Sequence, residues 1–319
     1  MKHFGGSAGD RGFRWTTGSF ALLLIVIVVG IGIVLWNESI LSIRTFGFNF
    51  WRTSTWDPVA GNFGAAPFIW GTLYSSILAL LIATPIAIGI AIFLSELCPN
   101  WLRTPLVFLT ELLAAIPSIV YGLWGIFVLV PFVRSLQVAT PEWLAAFPLF
   151  TGAPYGVSMG AAAIILAIMI VPFTSSVARE VLRAVPLSQR EGAYALGATN
   201  WEATRVVLHY ARVGIFGAIM LGFGRALGET MAVTMVIGNR ADASWSLFAP
   251  QYTMSAVIAN EFKEAADDLH LHALVEIGLV LFAITLIVNL GSRLLIWRMT
   301  REARPHVAPR AAKSAEAAA

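Results

Sequence analysis

Long apolar runs recur along this chain and limit what it can fold into. The first, at residues 20–36, contains about 17 residues, close to the roughly 20 that a helix needs to cross the hydrocarbon core of a bilayer. The other runs lie near residues 68–94, 105–133, 156–177, 213–238 and 272–297. We therefore predict an all-α polytopic membrane protein with six transmembrane helices.

The composition agrees with that prediction. Only 12% of the 319 residues are charged, whereas about a quarter are charged in soluble domains. The single cysteine, Cys98, excludes an intrachain disulfide framework. We divide the chain into residues 1–68, with the N-terminus, the first span and an external segment; residues 69–297, a transmembrane domain with the other spans; and residues 298–319, a tail predicted to be disordered.

The basic residues predict the orientation. Fifteen of the 21 lysines and arginines fall on one side of the predicted spans, five fall on the other side, and Arg225 lies inside a span. Because loops rich in basic residues stay in the cytoplasm, both termini are predicted to be cytoplasmic. The same rule places the polar loop at residues 184–212 in the cytoplasm.

That polar loop, residues 184–212, interrupts an otherwise apolar part of the chain. Pro186 is suited to the start of a helix, and Gly197 can end that helix in a left-handed conformation. A second helix is predicted from Asn200 to His209. Two short helices around a glycine turn are typical of a docking element, although an amphipathic helix resting on the membrane surface is the alternative.

Arg225 and Glu229 are the charged residues in the middle of a predicted span. Their i, i+4 spacing would place both side chains on one helix face, where they could neutralise each other. Charged residues inside a membrane usually line a functional path, and a guanidinium matches the geometry of a tetrahedral oxyanion. Thr230 could add a hydrogen bond. The alternative is a structural ion pair between helices.

Other residues in the spans have structural interpretations. Gly214, Gly217, Gly222 and Gly224 form a stripe of small residues that permits close helix packing. Glu111 and Glu276 lie near the ends of predicted spans, where a carboxylate can reach water. We interpret both as solvated end residues.

A membrane-embedded enzyme is the alternative from another functional class. It would use Glu229, His209, or His270 with His272. The last two histidines are at i, i+2 and would not share a helix face, so they form no convincing metal site. The sequence also contains no GxxxxGK phosphate loop, so ATP hydrolysis by that route is not expected. We therefore predict a non-enzymatic chain.

The polar loop carries a family resemblance. Glu191, Gly192 and Ala193, followed by Gly197 and an apolar stretch, resemble the "EAA" loop of ABC transporter permeases, which contacts the ATPase partner. The sequence departs from that pattern at Gly192, where alanine is usual, and at His209, where proline is common.

Four further stretches extend the resemblance. Residues 71–73, 89–96, 111–125 and 225–233 resemble the PstC-type permease subunits of bacterial phosphate ABC importers. The similarity covers most of residues 56–290. It implies an ABC type 1 importer permease fold with a cytoplasmic coupling helix, in the bacterial plasma membrane.

The resemblance also implies partners and site residues. The partners would be a PstA-type second permease, a PstB-type ATPase dimer that binds ATP and Mg, an external PstS-type phosphate-binding protein, phosphate and membrane lipids, with no nucleic acid. No cofactor is expected on this chain. Arg225, Glu229 and Thr230 would lie on the substrate pathway. The residues implied in ATPase coupling are Glu191, Gly192, Ala193, Gly197 and Ala198.

The transported ion stays open on the residues alone. One arginine cannot distinguish phosphate from molybdate, sulfate or phosphonate, since each offers oxygen atoms to the same donors. The same architecture carrying another oxyanion is therefore the alternative to phosphate import.

Overall fold

The computed structural model describes residues 8–302, and helices dominate that part of the chain. No named strand occurs there, only two isolated bridges. The helices are α1 Ala8–Phe46, α2 Ala66–Ile92, α3 Asn100–Ala115, α4 Ser118–Trp124, α5 Val130–Ala139, α6 Glu142–Ala145, α7 Met159–Arg183, α8 Leu187–Ala195, α9 Asn200–Leu227, α10 Met231–Val236, α11 Met254–Glu261 and α12 Asp268–Glu302.

Six helical segments within residues 8–302 are long and apolar enough to cross a membrane. This number agrees with the prediction. Two of the segments contain wider π-helical turns, at Phe93–Leu97 after α2 and at Gly125–Leu129 between α4 and α5. The six segments are Gly9–Trp51, Ala66–Leu97, Ser118–Ala139, Met159–Arg183, Asn200–Leu227 and Asp268–Met299.

Both ends of the predicted span pattern need correction. Helix α1 contains 39 residues, so the helix continues well beyond residue 36 into the segment predicted to be external. Helix α12 continues to Glu302, so residues 298–302 are helical and not part of a disordered tail. Residues 1–7 and 303–319 lie outside the described residues, and the predictions for them stay predictions.

Two internal spans were also predicted with the wrong ends. The run at residues 105–133 is interrupted after Ala115, because Ile116 has an extended backbone before Pro117. A residue before proline disfavours the helical region. The run at residues 213–238 is interrupted after Leu227. Its first part is the continuation of α9, so the second helix of the polar loop and the fifth span are one helix.

The described residues form two compact units, and the first comprises residues 8–75, 118–165 and 228–284. Its core contains Phe50, Phe68, Tyr252 and Leu274, which are all nearly inaccessible to solvent. The Trp56 ring packs edge-on against Phe68, with the ring centroids 4.9 Å apart. Aromatic pairs of this geometry add to the free energy of burial.

Glycines allow helices of the first unit to approach closely. The Gly71 backbone in α2 lies against the Tyr252 carbonyl, with no room for a side chain. In α4, a Cβ atom at Gly122 would lie 2.5 Å from the sulfur of Met235, a residue of α10. Helix α10 therefore packs directly on the α4 backbone.

The second unit comprises residues 76–117, 166–227 and 285–302. Its core is built mainly from α7 and α9, with Leu182, Val207 and Ala211 buried. Gly214 lies against Val181, and Gly222 lies against Thr174. The close packing predicted from the small-residue stripe is confirmed at these two glycines.

Replacing Gly71 by alanine is expected to destabilise the protein. The new methyl group would collide with the Tyr252 backbone, and overpacking of this kind costs about 1–3 kcal/mol. The matched control is Gly89→Ala in the same helix, where a Cβ would meet nothing within 4 Å. Thermal unfolding in detergent should show a lower midpoint for Gly71→Ala, with no loss for Gly89→Ala. Equal midpoints for the two variants would contradict the close contact.

Candidate functional site

Arg225 lies in the last turn of α9, and its side chain is partly buried. Its guanidinium carbon is 5.3 Å from the centroid of the Phe173 ring in α7. Such a cation–π contact contributes about 0.5–2 kcal/mol. The Nε atom is buried without a hydrogen-bond partner, and no carboxylate among the described residues of its unit forms an ion pair with Arg225. The guanidinium therefore lacks a carboxylate counter-ion within the described part of its unit.

The three residues after α9 form a break before α10. The Glu229 carboxylate accepts a hydrogen bond from the Ala232 N–H in the first turn of α10, at 3.2 Å. The Glu229 carbonyl accepts one from the Ser255 hydroxyl, at 2.7 Å. Thr230 precedes α10, and its carbonyl accepts the Thr234 hydroxyl, at 2.7 Å. The break thus has specific partners within the first unit.

This break overturns one prediction about the charged residues. Arg225 and Glu229 do not lie on one helix face, because α9 ends at Leu227. The i, i+4 argument requires a continuous helix through both residues. Gly228, with no Cβ, ends the regular helix between them. The two residues therefore have to be considered separately, one at a helix end and one in the following break.

The helix, glycine turn and helix occur in the polar loop as predicted. Helix α8 ends at Ala195, and Gly197 has a φ of +83°. The Ala198 N–H donates to the Ala193 carbonyl at 3.1 Å, and the Gly197 N–H donates to the Tyr194 carbonyl at 2.9 Å. This pair of bonds is a Schellman motif, which needs a left-handed residue at the position of Gly197.

The start of α9 is stabilised by a reciprocal capping box. The Glu202 carboxylate accepts hydrogen bonds from the Thr199 N–H at 2.8 Å and the Thr199 hydroxyl at 2.9 Å. The Glu202 N–H donates to the same hydroxyl oxygen at 3.4 Å. Two backbone donors at the helix start thereby gain partners. The angle between the turn and α9 is held by residues inside the loop itself.

An ion pair attaches α8 to the end of the second span. Arg190 donates from Nη2 and Nε to the two oxygens of Glu96, at 2.8 and 3.1 Å. Further bonds run from Arg190 to the carbonyls of Val185 and Leu182, each at 3.0 Å. Only 18% of the Arg190 side chain and 11% of the Glu96 side chain are exposed. The hydrogen bonds to Glu96 raise the pKa of Arg190 above its usual value.

The Arg190–Glu96 pair was missed in the sequence. Glu96 and Arg190 were both visible as charged residues, but they are separated by 94 positions, and periodicity cannot relate residues across that distance. The only available signal was that Glu96 ends a conspicuous apolar run, and that position does not identify a partner.

The opposite side of α8 is exposed and partly apolar. Glu191 is exposed, and so are the large side chains of Leu187, Tyr194 and Leu196, the last at 90%. Trp201, in the first turn of α9, is 66% exposed. Exposed apolar residues beside charged ones are typical of protein contact surfaces. We refer to these five residues as the α8 face.

Gly192 belongs to α8, and a Cβ there would meet nothing within 4 Å. The departure from the usual alanine is therefore not required by packing within the chain. His209 is exposed on the middle of a continuous α9. The helix passes through this position without interruption.

Two carboxylates predicted to be solvated differ in their surroundings. Glu111 keeps 58% of its side chain exposed and lies 3.3 Å from the nearly buried Arg179. Glu276 is buried, with 2% exposure, and accepts a hydrogen bond from the Trp51 indole at 3.4 Å. The prediction for Glu276 is wrong because the segment after α1 covers it.

The histidines considered for an enzyme have separate partners. His270 is buried and contacts the Glu261 carboxylate at 3.2 Å, while His272 contacts the Glu38 carbonyl. Among the described residues, no three His, Cys, Asp or Glu side chains are grouped as metal ligands. The contact between His270 and Glu261 involves only two such side chains.

Known proteins similar to this chain share most of its length. Residues 83–301 match the family described as "Binding-protein-dependent transport system inner membrane component". The phosphate transport system permease protein PstC of Mesorhizobium japonicum is 49% identical over 296 residues, covering 91% of this chain and 90% of the relative. PstC of Pasteurella multocida is also 49% identical, covering 91% and 92%.

The similarity extends to an archaeal relative and to a solved structure. The probable PstC of Methanocaldococcus jannaschii is 38% identical over 282 residues, covering 86% of this chain and 89% of the relative. An inward-facing structure of the MetNI methionine ABC transporter aligns with a TM-score of 0.55 at 16% identity, covering 72% of this chain and 94% of that chain. This likeness confirms the predicted ABC type 1 importer permease fold. The chain belongs to the binding-protein-dependent transport system inner membrane components, and within them to the PstC family of phosphate transport system permease proteins.

Proposed function

We propose that this chain is a transmembrane permease subunit of an ATP-driven importer of inorganic phosphate. The observation that carries the proposal is the 49% identity, over 91% of the chain, to relatives named as phosphate transport system permeases. Identity of this extent favours phosphate over molybdate, sulfate or phosphonate. The chain itself is a transporter component and not an enzyme.

The proposed substrate pathway includes Arg225, Glu229 and Thr230. Support for Arg225 comes from its partly buried guanidinium, which Phe173 holds from one side while Nε has no partner. Charge-assisted hydrogen bonds from such a group would bind a phosphate oxygen. Glu229 would limit the affinity through its negative charge, so that the ion is released. Thr230 would offer its hydroxyl.

The α8 face is proposed to contact an ATPase partner. Glu191 with Gly192 and Ala193 would lie in the contact, while Gly197 and Ala198 would hold the turn that orients it. Support comes from the exposure of the face and from the Arg190–Glu96 pair behind it. Force applied to α8 would reach the second span through this pair and reach the fifth span through the continuous α9.

The remaining partners follow the same proposal. A PstA-type permease, two PstB-type ATPase subunits and a PstS-type phosphate-binding protein would complete the importer in the bacterial plasma membrane. Both termini and the α8 face would be cytoplasmic, as the distribution of basic residues favours. ATP and Mg would bind to the ATPase subunits, and no cofactor would bind to this chain.

Replacing Arg225 by alanine is expected to reduce phosphate uptake by about 10- to 100-fold. The reason is the loss of a charge-assisted contact worth about 1.5–3 kcal/mol. Uptake by Arg225→Lys should lie between that of wild type and that of Arg225→Ala, since lysine retains the charge without the planar array of donors. Labelled phosphate uptake by cells lacking the native chain measures the effect, with sulfate and molybdate as competitors.

The matched control is Arg298→Ala, an exposed arginine of α12 for which uptake should equal that of wild type. Membrane levels of all variants have to be equal. Unimpaired uptake by Arg225→Ala would remove this residue from the pathway. Uptake that never depends on the chain, or that sulfate inhibits as well as phosphate does, would instead contradict the transported ion.

Gly197→Ala is expected to uncouple ATP hydrolysis from transport. A non-glycine residue with a φ of +83° is strained by about 1–2 kcal/mol, so the Schellman turn should shift and α8 should tilt. Phosphate-stimulated ATPase activity of the reconstituted complex should fall several-fold. The control is Gly291→Ala, a helical glycine with open space around it. Normal stimulation in Gly197→Ala would show that the turn geometry is dispensable.

The Arg190–Glu96 pair is expected to show coupling in a double-mutant cycle. Arg190→Gln and Glu96→Gln should each lower stability by about 1–3 kcal/mol, because each leaves a partly buried charge without its partner. The double variant should cost less than the sum. Thermal unfolding of the complex gives these values, and Arg183→Gln, which removes an exposed pair at 4.0 Å, should have little effect. Additive effects would mean that the pair does not hold α8.

A further inference from the structure

A groove lies between α7, α9 and α12 in the second unit. Its volume is about 370 Å³, and its walls are mainly apolar, with Val177, Val181, Met220 and Leu221 along its length. Its remaining lining includes a short polar stretch of α12, from Asn289 to Arg293. The groove is therefore amphiphilic, with a long apolar part and one basic group.

Gly217 of α9 lies on the wall of the groove and leaves it open. A Cβ atom at Gly217 would meet only the Ile296 methyl group, at 3.7 Å. That is an ordinary contact, so the position is not crowded by a neighbouring helix. Unlike Gly214 and Gly222, which pack against α7, Gly217 leaves space. A larger side chain there would occupy the groove without first colliding with backbone.

The polar stretch offers one unused charge. Asn289 donates to the Thr285 carbonyl at 2.9 Å, and Ser292 donates to the Val288 carbonyl at 2.7 Å, so both donors serve α12 itself. Arg293 is exposed, and no carboxylate in residues 9–299 forms an ion pair with it. Its guanidinium therefore has no counter-ion within the described chain.

The position of Arg293 along α12 is suited to contact with a lipid headgroup. It lies near the end of an apolar segment of 32 residues, and further arginines follow at positions 298, 301 and 304. Leu221, which lines the groove, is 54% exposed. An apolar side chain with this exposure is accessible to an acyl chain.

We propose that this groove binds one anionic phospholipid, with its phosphate on Arg293 and an acyl chain along the apolar wall. A guanidinium binds phosphate oxygens through two parallel hydrogen bonds, and basic pockets between membrane helices are suited to such headgroups. A zwitterionic lipid fits less well because the groove contains no carboxylate for its ammonium group. The site is separate from the proposed phosphate pathway and does not depend on which oxyanion is transported.

Lipid retention by the intact complex tests the headgroup contact. The full-length chain is purified with its partner subunits and titrated with phosphatidylglycerol or phosphatidylcholine of matched acyl chains, and bound lipid is counted by native mass spectrometry. Arg293→Gln should reduce phosphatidylglycerol retention about fivefold, the factor for about 1 kcal/mol, and leave phosphatidylcholine unchanged. Arg298→Gln, a change at another exposed arginine of α12, should resemble wild type. Wild-type retention by Arg293→Gln would overturn the proposal.

The acyl-chain contact has its own tests. Gly217→Leu should fill the groove and abolish the retention that Arg293 supports, with Gly291→Leu as the control on a face with open space. A photo-crosslinking amino acid at position 221 provides a second test that does not require the Gly217→Leu variant. Its adduct shows what occupies the groove. An adduct with the mass of a phospholipid supports the proposal. An adduct with a polypeptide would overturn it and assign the groove to a partner helix.

Discussion

The need to satisfy every backbone hydrogen-bonding group away from water governs this structure. Continuous helices meet that need by themselves, so each interruption requires specific partners. At the break after α9, the Glu229 carboxylate takes the Ala232 N–H and the Ser255 hydroxyl takes the Glu229 carbonyl. The Glu229 side chain therefore stabilises the chain just after α9 ends. Oε1 accepts the backbone N–H, so the second carboxylate oxygen is left for other contacts.

The sequence predicted the number of spans correctly but not the interruptions within them. Apolarity extends over 18 residues or more in each span, so the number of spans was readable. The interruptions were not readable. Pro117 lies inside one apolar run, and the stretch from Arg225 to Thr230 has a glycine but no proline, so both runs were predicted as continuous spans. Because the helix was predicted to continue past Leu227, Arg225 and Glu229 were wrongly paired. An i, i+4 argument holds only where both residues belong to one helix.

The polar loop was predicted better because its signals are local. Gly197 acts on the residues next to it, and the predicted left-handed glycine occurs at this position. What attaches the loop to the rest of its unit could not be predicted. The Arg190–Glu96 contact joins residues 94 positions apart, and Glu276 is buried by a segment 225 positions away. Local sequence patterns predict helices and turns, whereas the contacts between distant residues depend on tertiary packing.

Arg225 shows what the cost of burial implies about function. Desolvating a guanidinium is unfavourable unless hydrogen bonds replace those to water, and here a ring contact supplies only part of that compensation. Arg190, by contrast, donates to the Glu96 carboxylate and to two backbone carbonyls. The two arginines of this unit thus differ: Arg190 has a carboxylate partner and holds a helix, whereas Arg225 has a ring contact and no carboxylate partner within the described part of the unit. An anion that passes Arg225 would supply a counter-charge briefly. Such weak, reversible binding is what a transport pathway requires.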